Sequence, residues 1–394
     1  MPGLVREEEQ PFKTIEVEEL HPTFGAEIKG VDFEDVSEGQ FSEIMAAMAK
    51  YGVCVFRKTG LTDAAHVSFS RRFGELDTVK RYMPPGRKPR YGFFELFDAG
   101  NVSTDEPSSH TTPDTPGDTT NDTSSNGNGS NGNGSAAAPV PLDPSSLRAH
   151  TNRGNGLFHA DSSFNPRRAS YSLLRAHQLP PPGTGADTLF ADSRTAAEEL
   201  AEELRVFLAA GAVAGEVGEE GGGGGGLVGA HSIAHSRKLG SPQFFADLDP
   251  TASPMVRHRI LQRHGPSGRM NLYVGAHLHH IEEAPERNAK QHHCKEIPDS
   301  WGLVQQLNAH ATQDKYVISV PWNDPGDLVV WDNRAVLHRV GAGSFEGKFI
   351  RDLRRTTVHD DSPTAWGLNA VGEAFPASLT PAFNAPKVGN GDVR

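Results

Sequence analysis

Two histidines and one aspartate of this chain are of the types that bind a transition metal. His159 and Asp161 stand two residues apart in the segment Phe158-His-Ala-Asp161, and on a strand such residues point to the same face. His338 would complete a set of two histidines and one carboxylate, which occupies one face of an octahedral Fe(II) and leaves three positions open. The pair alone is weak evidence. For a single histidine such as His338, a hydrogen bond to a core carbonyl is the usual alternative.

Three arginines crowd a second segment, residues 349–358, whose β-branched and aromatic side chains predict a strand. With a period of two, Arg351, Leu353 and Arg355 share one face. Burying two guanidinium groups without anionic partners would be too costly. Either Leu353 faces solvent, or the interior holds anions that the arginines bind. Because arginine suits a carboxylate or a sulfonate, the predicted metal set favours the second alternative.

The elements that must position these residues include two early helices. Apolar residues recur at helical spacing from Phe41 to Met48, and Gly52 follows where a helix would end. Residues 53–56 form an apolar run typical of a buried strand, and Thr62 is placed to cap a second helix. These residues predict a compact α/β opening to the fold.

Residues 150–360 contain many short runs typical of strands, separated by glycine and proline turns. Examples are residues 171–174, 316–320 and 328–331. Short strands at such spacing predict a sandwich or a jelly roll. A sharp turn is predicted at Asp332-Asn-Arg334, so that His338 opens the next segment.

Two stretches of low complexity interrupt the chain. Residues 99–144 are rich in Ser, Thr, Asn, Asp, Gly and Pro, and residues 215–227 are rich in glycine. Such segments bury too little apolar surface to offset the entropy lost on ordering. Residues 99–144 are therefore either a linker between two domains or an expanded loop within one.

The composition excludes several classes of protein. The net charge of −12 gives no basic footprint of the kind that nucleic-acid-binding proteins show. Cys54 and Cys294 have no metal-like spacing, which suits a reducing compartment. The N-terminus lacks an apolar signal core, and no apolar run approaches the ~20 residues that cross a bilayer. We expect a cytoplasmic protein that binds neither nucleic acid nor membrane, and homo-oligomerisation stays open.

Taken together, these segments resemble the TauD/TfdA family of Fe(II)- and 2-oxoglutarate-dependent dioxygenases, in particular its 2,4-dichlorophenoxyacetate (TfdA-like) branch. The resemblance covers nearly all of residues 12–365 apart from the inserted loops. It is carried by Val55-Phe-Arg57, Phe69-Ser-Arg-Arg-Phe-Gly-Glu75, Asn155-Gly-Leu-Phe-His-Ala-Asp-Ser-Ser-Phe164, Ala186-Asp-Thr188, His231-Ser-Ile-Ala-His-Ser-Arg237, Trp331-Asp-Asn-Arg334 and Arg351-Asp-Leu-Arg-Arg-Thr-Thr-Val358.

The family's fold is a double-stranded β-helix, a mostly β jelly roll with flanking helices. The resemblance therefore implies a single catalytic domain over residues 12–365, with residues 99–144 and 215–227 as insertions within it. Residues 366–394 would form a flexible C-terminal tail.

The resemblance also implies roles for individual residues. The iron ligands would be His159, Asp161 and His338, and the distal carboxylate of 2-oxoglutarate would be held by Thr188 and Arg351. The anionic group of the substrate would bind Arg355, with Asn155 near both substrate and co-substrate.

Some residues depart from the family's pattern or leave their role open. Phe158 stands where tryptophan is common, and residues 77–82 do not match the taurine-binding pattern, which puts taurine itself in doubt. Lys80 and Tyr82 are candidate substrate contacts, with a solvated loop as the alternative. Among the remaining histidines, His231 and His235 are four residues apart, but no glutamate stands between them as a zinc-protease helix requires. Most of these histidines are expected at the surface or behind the site. Of them, His235, with its neighbour Ser236, is a candidate for the pocket wall.

The implied reaction consumes 2-oxoglutarate and O2 and releases succinate and CO2. It would hydroxylate, and thereby in some cases cleave, a small anionic organic substrate such as an aryloxyacetate, a sulfonate or a carboxylated metabolite. Ascorbate is expected to act as an activator in vitro. Desaturation or epimerisation at the same iron is one alternative, and a non-catalytic binding or sensor protein is another.

Overall fold

A computed structural model describes residues 12–83, 85–103, 139–209, 226–284 and 294–373 of the chain. Most of the insertion predicted at 99–144 lies outside the described residues, as do most of the glycine-rich loop at 215–227 and the tail beyond residue 373. Two of the histidines to which no role was assigned, His292 and His293, also lie outside the described residues.

The described helices include both that the sequence predicts. They are α1 (Glu38–Tyr51), α2 (Asp63–Arg71), α3 (Leu147–Asn152), α4 (Ser193–Glu198), α5 (Glu202–Ala209), α6 (Ile233–Gly240) and α7 (Ser300–Ala311). The side chain of Ser37 caps α1, which ends at Gly52 in the left-handed conformation, φ 71°. Thr62 caps α2 by accepting a hydrogen bond from the backbone N–H of Ala65. The predicted end of α1 and the predicted start of α2 are thereby confirmed.

The strands form one large sheet and several smaller ones. They are β1 (Glu16–Glu19), β2 (Ala26–Lys29), β3 (Val53–Phe56), β4 (Phe97–Asp98), β5 (Ala169–Gln178), β6 (Thr188–Asp192), β7 (Leu227–His231), β8 (Val256–Arg259), β9 (Leu261–Arg263), β10 (Met270–Leu272), β11 (Leu278–Glu283), β12 (Lys295–Glu296), β13 (Val317–Val320), β14 (Leu328–Asp332), β15 (Val336–Val340) and β16 (Asp352–His359). The large sheet has the order β1-β2-β3-β14-β5-β16-β4, and the smaller ones are β13-β6-β15, β12-β11-β7-β8 and β10-β9. This layered, mainly antiparallel arrangement is the jelly-roll core that the sequence predicts.

The central strand β14 of the large sheet is buried on both faces. Leu328 and Val330 pack against side chains of α1 and α2 on one face, whereas Val329 and Trp331 face the three-stranded sheet β13-β6-β15. Burying a large apolar side chain stabilises the fold by roughly 1.5–3 kcal/mol. The two sheets are therefore held together by the apolar layer between them, and this layer forms the floor of the site described below.

β16 settles which face of the arginine segment points inward. Leu353 is fully buried between the two sheets, and Arg355 on the same face contacts Asp161. On the opposite face Arg354 pairs with Asp63 at the start of α2. The strand begins at Asp352, later than predicted, so Arg351 precedes it. Of the two alternatives for Leu353, the structure has the one in which it faces the interior.

The described segments that flank residues 104–138 lie side by side. The backbone N–H of Ser103 donates to the carbonyl of Val140 at 2.8 Å, and that of Leu142 donates to Asn101 at 2.6 Å. The strands on either side, β4 and β5, belong to the same large sheet. This geometry favours an insertion within one domain over a linker between two.

Within the described part of the chain, no helix is both long enough and apolar enough to span a lipid bilayer.

Candidate active site

A short antiparallel bridge joins the two histidines predicted to bind metal. The backbone N–H of His159 donates to the carbonyl of His338 at 3.0 Å, and the reverse hydrogen bond is 2.9 Å long. His338 lies on β15, but His159 is only an isolated bridge residue and Asp161 opens a turn. The regular strand expected around His159 is therefore wrong, and a turn with Ser162 at φ 54° redirects Asp161 towards the histidines.

The three side chains nevertheless converge on one point. His159 Nε2 lies 3.9 Å from Asp161 Oδ1, and His338 Nε2 lies 3.7 Å from Asp161 Oδ2. Among the described residues they form the one group of three or more metal-binding side chains whose ligand atoms all lie within 4.8 Å of one another. All three are buried.

The protonation states of this cluster suit a metal site. Burial lowers the pKa of His338 to about 3 and also lowers the pKa of His159, so both rings are neutral at neutral pH. His159 Nδ1–H donates to the carbonyl of Leu157 at 2.8 Å, which leaves Nε2 as the lone-pair nitrogen facing Asp161. Neutral imidazole is the form that binds a metal ion.

Asp161 is held ionised by its neighbours. Burial alone would raise the pKa of its carboxyl, but the charge of Arg355, together with the hydrogen bond from Ser172, holds that pKa well below its ordinary value. Arg355 Nη1 donates to Asp161 Oδ1, and Ser172 Oγ donates to Oδ2 at 2.7 Å. The carboxylate thus offers negative charge to a cation at all pH values near neutrality.

Arg351 is buried beside the same site with carbonyl groups as its hydrogen-bond acceptors. Its Nε and Nη2 donate to Ala186 O at 3.3 and 3.2 Å, and Nη1 donates to Ala99 O at 3.3 Å. Burial lowers its pKa to about 10, which still leaves the guanidinium charged at neutral pH. In the described part of the chain no carboxylate forms an ion pair with Arg351, so a bound anion is the partner that its burial calls for.

Thr188 begins β6 and lies on the wall of the same cavity. Trp322 Nε1 donates to Thr188 Oγ1 at 3.1 Å. Because this hydrogen bond occupies an acceptor site of the hydroxyl, the hydroxyl proton stays available to a ligand. The sequence analysis did not identify Trp322, which lies 134 residues away in the chain.

A cavity of about 310 Å³ opens in front of the cluster, within the size range of small-molecule sites. The residues to which the resemblance assigns substrate or co-substrate binding, namely Thr188, Arg351, Arg355 and Asn155, all line this cavity. Its wall includes His159, His338, Thr188, Arg351, Arg355 and Asn155. The cavity wall does not include the other candidate contacts, which are Lys80, Tyr82, His235 and Ser236.

The other histidines do not assemble into a second metal cluster in the described segments. His231 is fully buried, and burial lowers its pKa well below the ordinary value. His235 on α6 packs edge-on against His279, whose Nδ1 lies 2.8 Å from that of His280. These side chains form a histidine-rich region behind and beside the site.

The donor set fits the groups that the family uses. Two neutral imidazoles and one ionised carboxylate on adjoining backbone segments are the set that binds Fe(II) with open positions. The buried Arg351 and the available hydroxyl of Thr188 fit a carboxylate of 2-oxoglutarate.

Comparison with known proteins gives a consistent result. The model of the family described as "Taurine catabolism dioxygenase TauD, TfdA family" matches residues 16–357. The alpha-ketoglutarate-dependent 2,4-dichlorophenoxyacetate dioxygenase of Cupriavidus pinatubonensis is 30% identical over 345 residues, covering 87% of this chain and 97% of that protein. The (S)-phenoxypropionate/alpha-ketoglutarate-dioxygenase of Sphingobium herbicidovorans is 26% identical, with 88% and 96% covered. A crystal structure of AAD-2 with Mn(II) and N-oxalylglycine has a TM-score of 0.62 and 28% identity, covering 89% of this chain and 99% of that one.

The chain therefore belongs to the TauD/TfdA family. It is a dioxygenase that depends on Fe(II) and 2-oxoglutarate, and it has the jelly-roll core of that family. These predictions from the sequence are confirmed, whereas the roles assigned to individual side chains stay predictions.

Proposed function

We propose that this dioxygenase oxidises a small organic anion, with Arg351 holding 2-oxoglutarate and Arg355 holding the anionic group of the substrate. The observation that carries the proposal is that both guanidinium groups line one cavity together with His159 and His338. The buried Arg351 forms no ion pair with a carboxylate among the described residues, and the partly exposed Arg355 keeps donors beyond the one bound to Asp161. The two guanidinium groups beside one metal cluster therefore suit two organic anions.

In this proposal His159, Asp161 and His338 hold the iron. Bound Fe(II), together with 2-oxoglutarate, supplies the activation of O2 that releases succinate and CO2 and delivers an oxygen atom to the substrate. The protein contributes ligands that are already neutral or ionised as required. No proton has to leave these side chains before the metal binds.

Arg351 and Thr188 orient the co-substrate. The Arg351 side chain is tethered by the carbonyls of Ala186 and Ala99, so its planar fork is fixed before an anion arrives. A carboxylate that binds it displaces water from a largely buried pocket, where charge-assisted hydrogen bonds are strong.

Arg355 aims the substrate. One of its donors binds Asp161 Oδ1, while its buried Nε has no hydrogen-bond partner among the described residues. The ring of Phe97 lies 5.5 Å from the guanidinium carbon. An anion bound to the remaining donors would lie directly beside Asp161, so Arg355 would hold the substrate next to the residues proposed to bind the metal.

Small aromatic acids are the substrates that we propose first. The relatives described above are named for 2,4-dichlorophenoxyacetate and (S)-phenoxypropionate, and both molecules carry one carboxylate next to an aryl ether. Hydroxylation of the carbon that bears the ether oxygen would give a hemiacetal from the acetate or a hemiketal from the propionate. Its bond to the aryl oxygen would then break, with the hydroxyl proton passing to that oxygen, to release a phenol and a 2-oxo acid. Sulfonates and carboxylated metabolites offer an equivalent anion for Arg355 and come second.

A co-substrate-coupled screen tests the proposal. The full chain would be supplied with Fe(II), ascorbate, O2 and 2-oxoglutarate, and succinate release would be measured over aryloxyalkanoates, alkyl and aryl sulfonates, and carboxylated natural products. We expect an anionic substrate to raise succinate release at least tenfold over the substrate-free rate. Stimulation by the matching neutral amide or alcohol instead of the acid would contradict a role for Arg355. A product heavier by one oxygen atom, or its cleavage fragments, separates hydroxylation from desaturation and epimerisation.

The cellular setting expected from the sequence belongs to the same proposal. We infer a cytoplasmic enzyme of small molecules, supported by the net charge of −12 and by the lack of a basic footprint for nucleic acid. Light scattering of the purified chain would measure the oligomeric state, which the sequence left open.

A further inference from the structure

The side chain of Asn333 makes four hydrogen bonds that connect β14, β5 and Asp161. Its Oδ1 accepts from the backbone N–H of Asp161 and from Trp331 Nε1, each at 3.0 Å. Its Nδ2 donates to Ser170 O at 3.2 Å and to Ser172 Oγ at 3.0 Å. Asn333 is 1% exposed, so every one of these contacts is made out of reach of solvent.

The direction of the next hydrogen bond follows from this geometry. Ser172 Oγ accepts from the amide of Asn333, and its single proton is then directed to Asp161 Oδ2, 2.7 Å away. The other oxygen of the same carboxylate is bound by Arg355. Asp161 is thus held at its backbone N–H and at both carboxylate oxygens.

We propose that Asn333 and Ser172 are positioning residues that fix the plane of the Asp161 carboxylate for metal binding. The inference rests on Asp161 being a metal ligand, as proposed above. Free to rotate, a carboxylate can offer a metal one or two oxygens in several orientations. With its backbone tied to Asn333 and Oδ2 tied to Ser172, it meets the two histidines in one orientation, so a metal ion need not order it on binding.

This arrangement also gives a physical reason for the turn Trp331-Asp-Asn-Arg334. The turn places Asn333 under Asp161, while the indole of Trp331 reaches the same amide oxygen. The carboxamide supplies both acceptor and donor at one position. A carboxylate or an aliphatic side chain of similar size would lack one or both.

The test compares two serines of the same strand and the same face. Ser172→Ala removes the hydroxyl that binds Asp161. Ser170→Ala removes an equally buried hydroxyl that donates to Val358 O and His359 O instead, at 3.3 and 3.2 Å. The Ser170 carbonyl that accepts from Asn333 is kept in both variants, so Ser170→Ala is a matched control for packing and folding.

The readout is the affinity of the full, metal-stripped chain for MnCl2 alone, followed by the electron paramagnetic resonance of free Mn(II). We expect the Kd of Ser172→Ala to rise at least tenfold and that of Ser170→Ala to stay within twofold of the unchanged protein, because outer-shell partners of metal ligands typically contribute about 10–100-fold. Equal Kd values for the two serine variants would overturn the inference.

A second variant keeps the inference testable through Asn333. Asn333→Asp keeps an acceptor for the Asp161 N–H but loses the donor to Ser172, whose hydroxyl would then turn towards the new carboxylate. We expect its Mn(II) affinity to fall at least as far as that of Ser172→Ala, with little further loss in the double variant because the two residues act in series. Unchanged affinity in Asn333→Asp, or fully additive losses, would contradict the proposed relay.

His159→Ala separates failure of this inference from failure of the proposed function. If the unchanged protein binds Mn(II) and His159→Ala does not, the proposed ligand set is supported. The serine variants then test the positioning role alone. If His159→Ala binds as tightly as the unchanged protein, the proposed ligand set itself is wrong.

Discussion

Arg351 and Arg355 stand four residues apart, yet the strand geometry gives them different neighbours. Arg351 lies just before β16 and is tethered by the carbonyls of Ala186 and Ala99. Arg355, within β16, contacts Asp161. The first therefore lies against the loop that leads into β6, and the second lies against the metal cluster, so two anions can be bound without competing for one guanidinium.

Substituting each arginine should affect a different KM. Arg351→Ala should raise the KM for 2-oxoglutarate at least tenfold, and Arg355→Ala should do so for the primary substrate, since a charge-assisted contact contributes about 1.5–3 kcal/mol. Arg354→Ala is the matched control, because Arg354 pairs with Asp63 and Asp352 on the opposite face. Steady-state kinetics in both ligands measures the effects. Equal changes in both KM values for each variant would mean that the two roles are assigned wrongly.

Trp322 should matter for the co-substrate although it lies behind Thr188. Trp322→Phe keeps most of the apolar packing but removes the hydrogen bond to Thr188 Oγ1. We expect a two- to tenfold rise in the KM for 2-oxoglutarate, the equivalent of about 0.5–1.5 kcal/mol for one neutral hydrogen bond. Thr188→Val should raise the same KM by a similar factor. An unchanged KM for 2-oxoglutarate in Trp322→Phe would show that the hydroxyl of Thr188 does not need to be oriented by Trp322.

At the scale of residues, the sequence indicates functional residues whose chemical type suggests a role. It does not indicate residues whose role depends on where the fold places them. His159, Asp161, Arg351 and Arg355 belong to types that imply chemistry, and all of them line the cavity or the cluster. Asn333 contacts Asp161 across 172 residues of chain. Nothing in the local spacing of an asparagine indicates such a contact, because it depends on how the sheets pair.

The turn that carries Asn155 depends on a close contact between two glycines of different elements. Residues Arg153–Gly156 form a short 3-10 turn after α3, and Gly240 ends α6. A Cβ atom built on Gly240 would lie 2.5 Å from the backbone nitrogen of Gly154. The two backbones can approach this closely only because Gly240 has no side chain.

Gly240→Ala should therefore disturb the cavity wall without touching a ligand. We expect a loss of roughly 1–3 kcal/mol in the free energy of unfolding, as for overpacked sites, and a higher KM for the primary substrate as Asn155 shifts. Gly265→Ala is the control, since a Cβ there meets no atom within 4 Å. Chemical denaturation and kinetics on both variants would decide. A Gly240→Ala protein as stable and active as Gly265→Ala would contradict the coupling.

At the scale of elements, local rules predict what local interactions determine. Gly52, in the left-handed conformation, ends α1 and Thr62 caps the start of α2, both as expected. The two-residue spacing of His159 and Asp161 is interpreted in the sequence as that of two side chains on one face of a regular strand. The structure has an isolated bridge followed by a turn instead, because pairing with β15 lasts for only one residue.

Across the whole molecule, many histidines are buried as neutral groups. Burial lowers the pKa of His66 and of His258 to about 3, and those of His231 and His277 are also lowered. In the unfolded chain these side chains titrate near pH ~6.5. Below that pH the unfolded state binds more protons than the native state, so stability is complete above it and is lost as the pH falls towards 3.

Unfolding free energy should consequently fall before most carboxylates titrate. Between about pH 6.5 and pH 4 each such histidine contributes a slope of up to about 1.4 kcal/mol per pH unit. Urea unfolding at half-unit pH steps measures the total slope. The His66→Gln variant should have a smaller slope, because its unfolding would take up close to one proton fewer. An unfolding free energy that is constant over this range would contradict the neutral burial of these rings.

The stretch between Ser103 and Val140 should be removable. Because the backbone of Ser103 already bonds to that of Val140, a two-residue Asn-Gly turn can replace residues 104–139 with the geometry of a tight hairpin. We expect the shortened protein to keep its succinate-forming activity within a few-fold and its melting temperature within a few degrees. A replacement of equal length by Gly and Ser is the control. Loss of folding only in the shortened protein would favour the alternative in which the stretch links two domains.

The overall fold class follows from strand-like spacing and from the family's motifs, but the sheet order does not. β14 lies between β3 and β5 although these strands are far apart in sequence. Such pairing is decided by the burial of both faces of β14 in two different apolar layers. Periodicity along one strand cannot show which other strand will cover it.

The reciprocal backbone hydrogen bonds between His159 and His338 have a further consequence for amide hydrogen exchange. Both N–H groups are bonded within the pair at 3.0 and 2.9 Å, and both residues are buried. Their deuterium uptake requires the bridge to open, which also separates the two imidazoles. The exchange rate of these two amides therefore reports the opening of the site. If added metal slows this exchange, the decrease measures metal binding without any substrate or turnover.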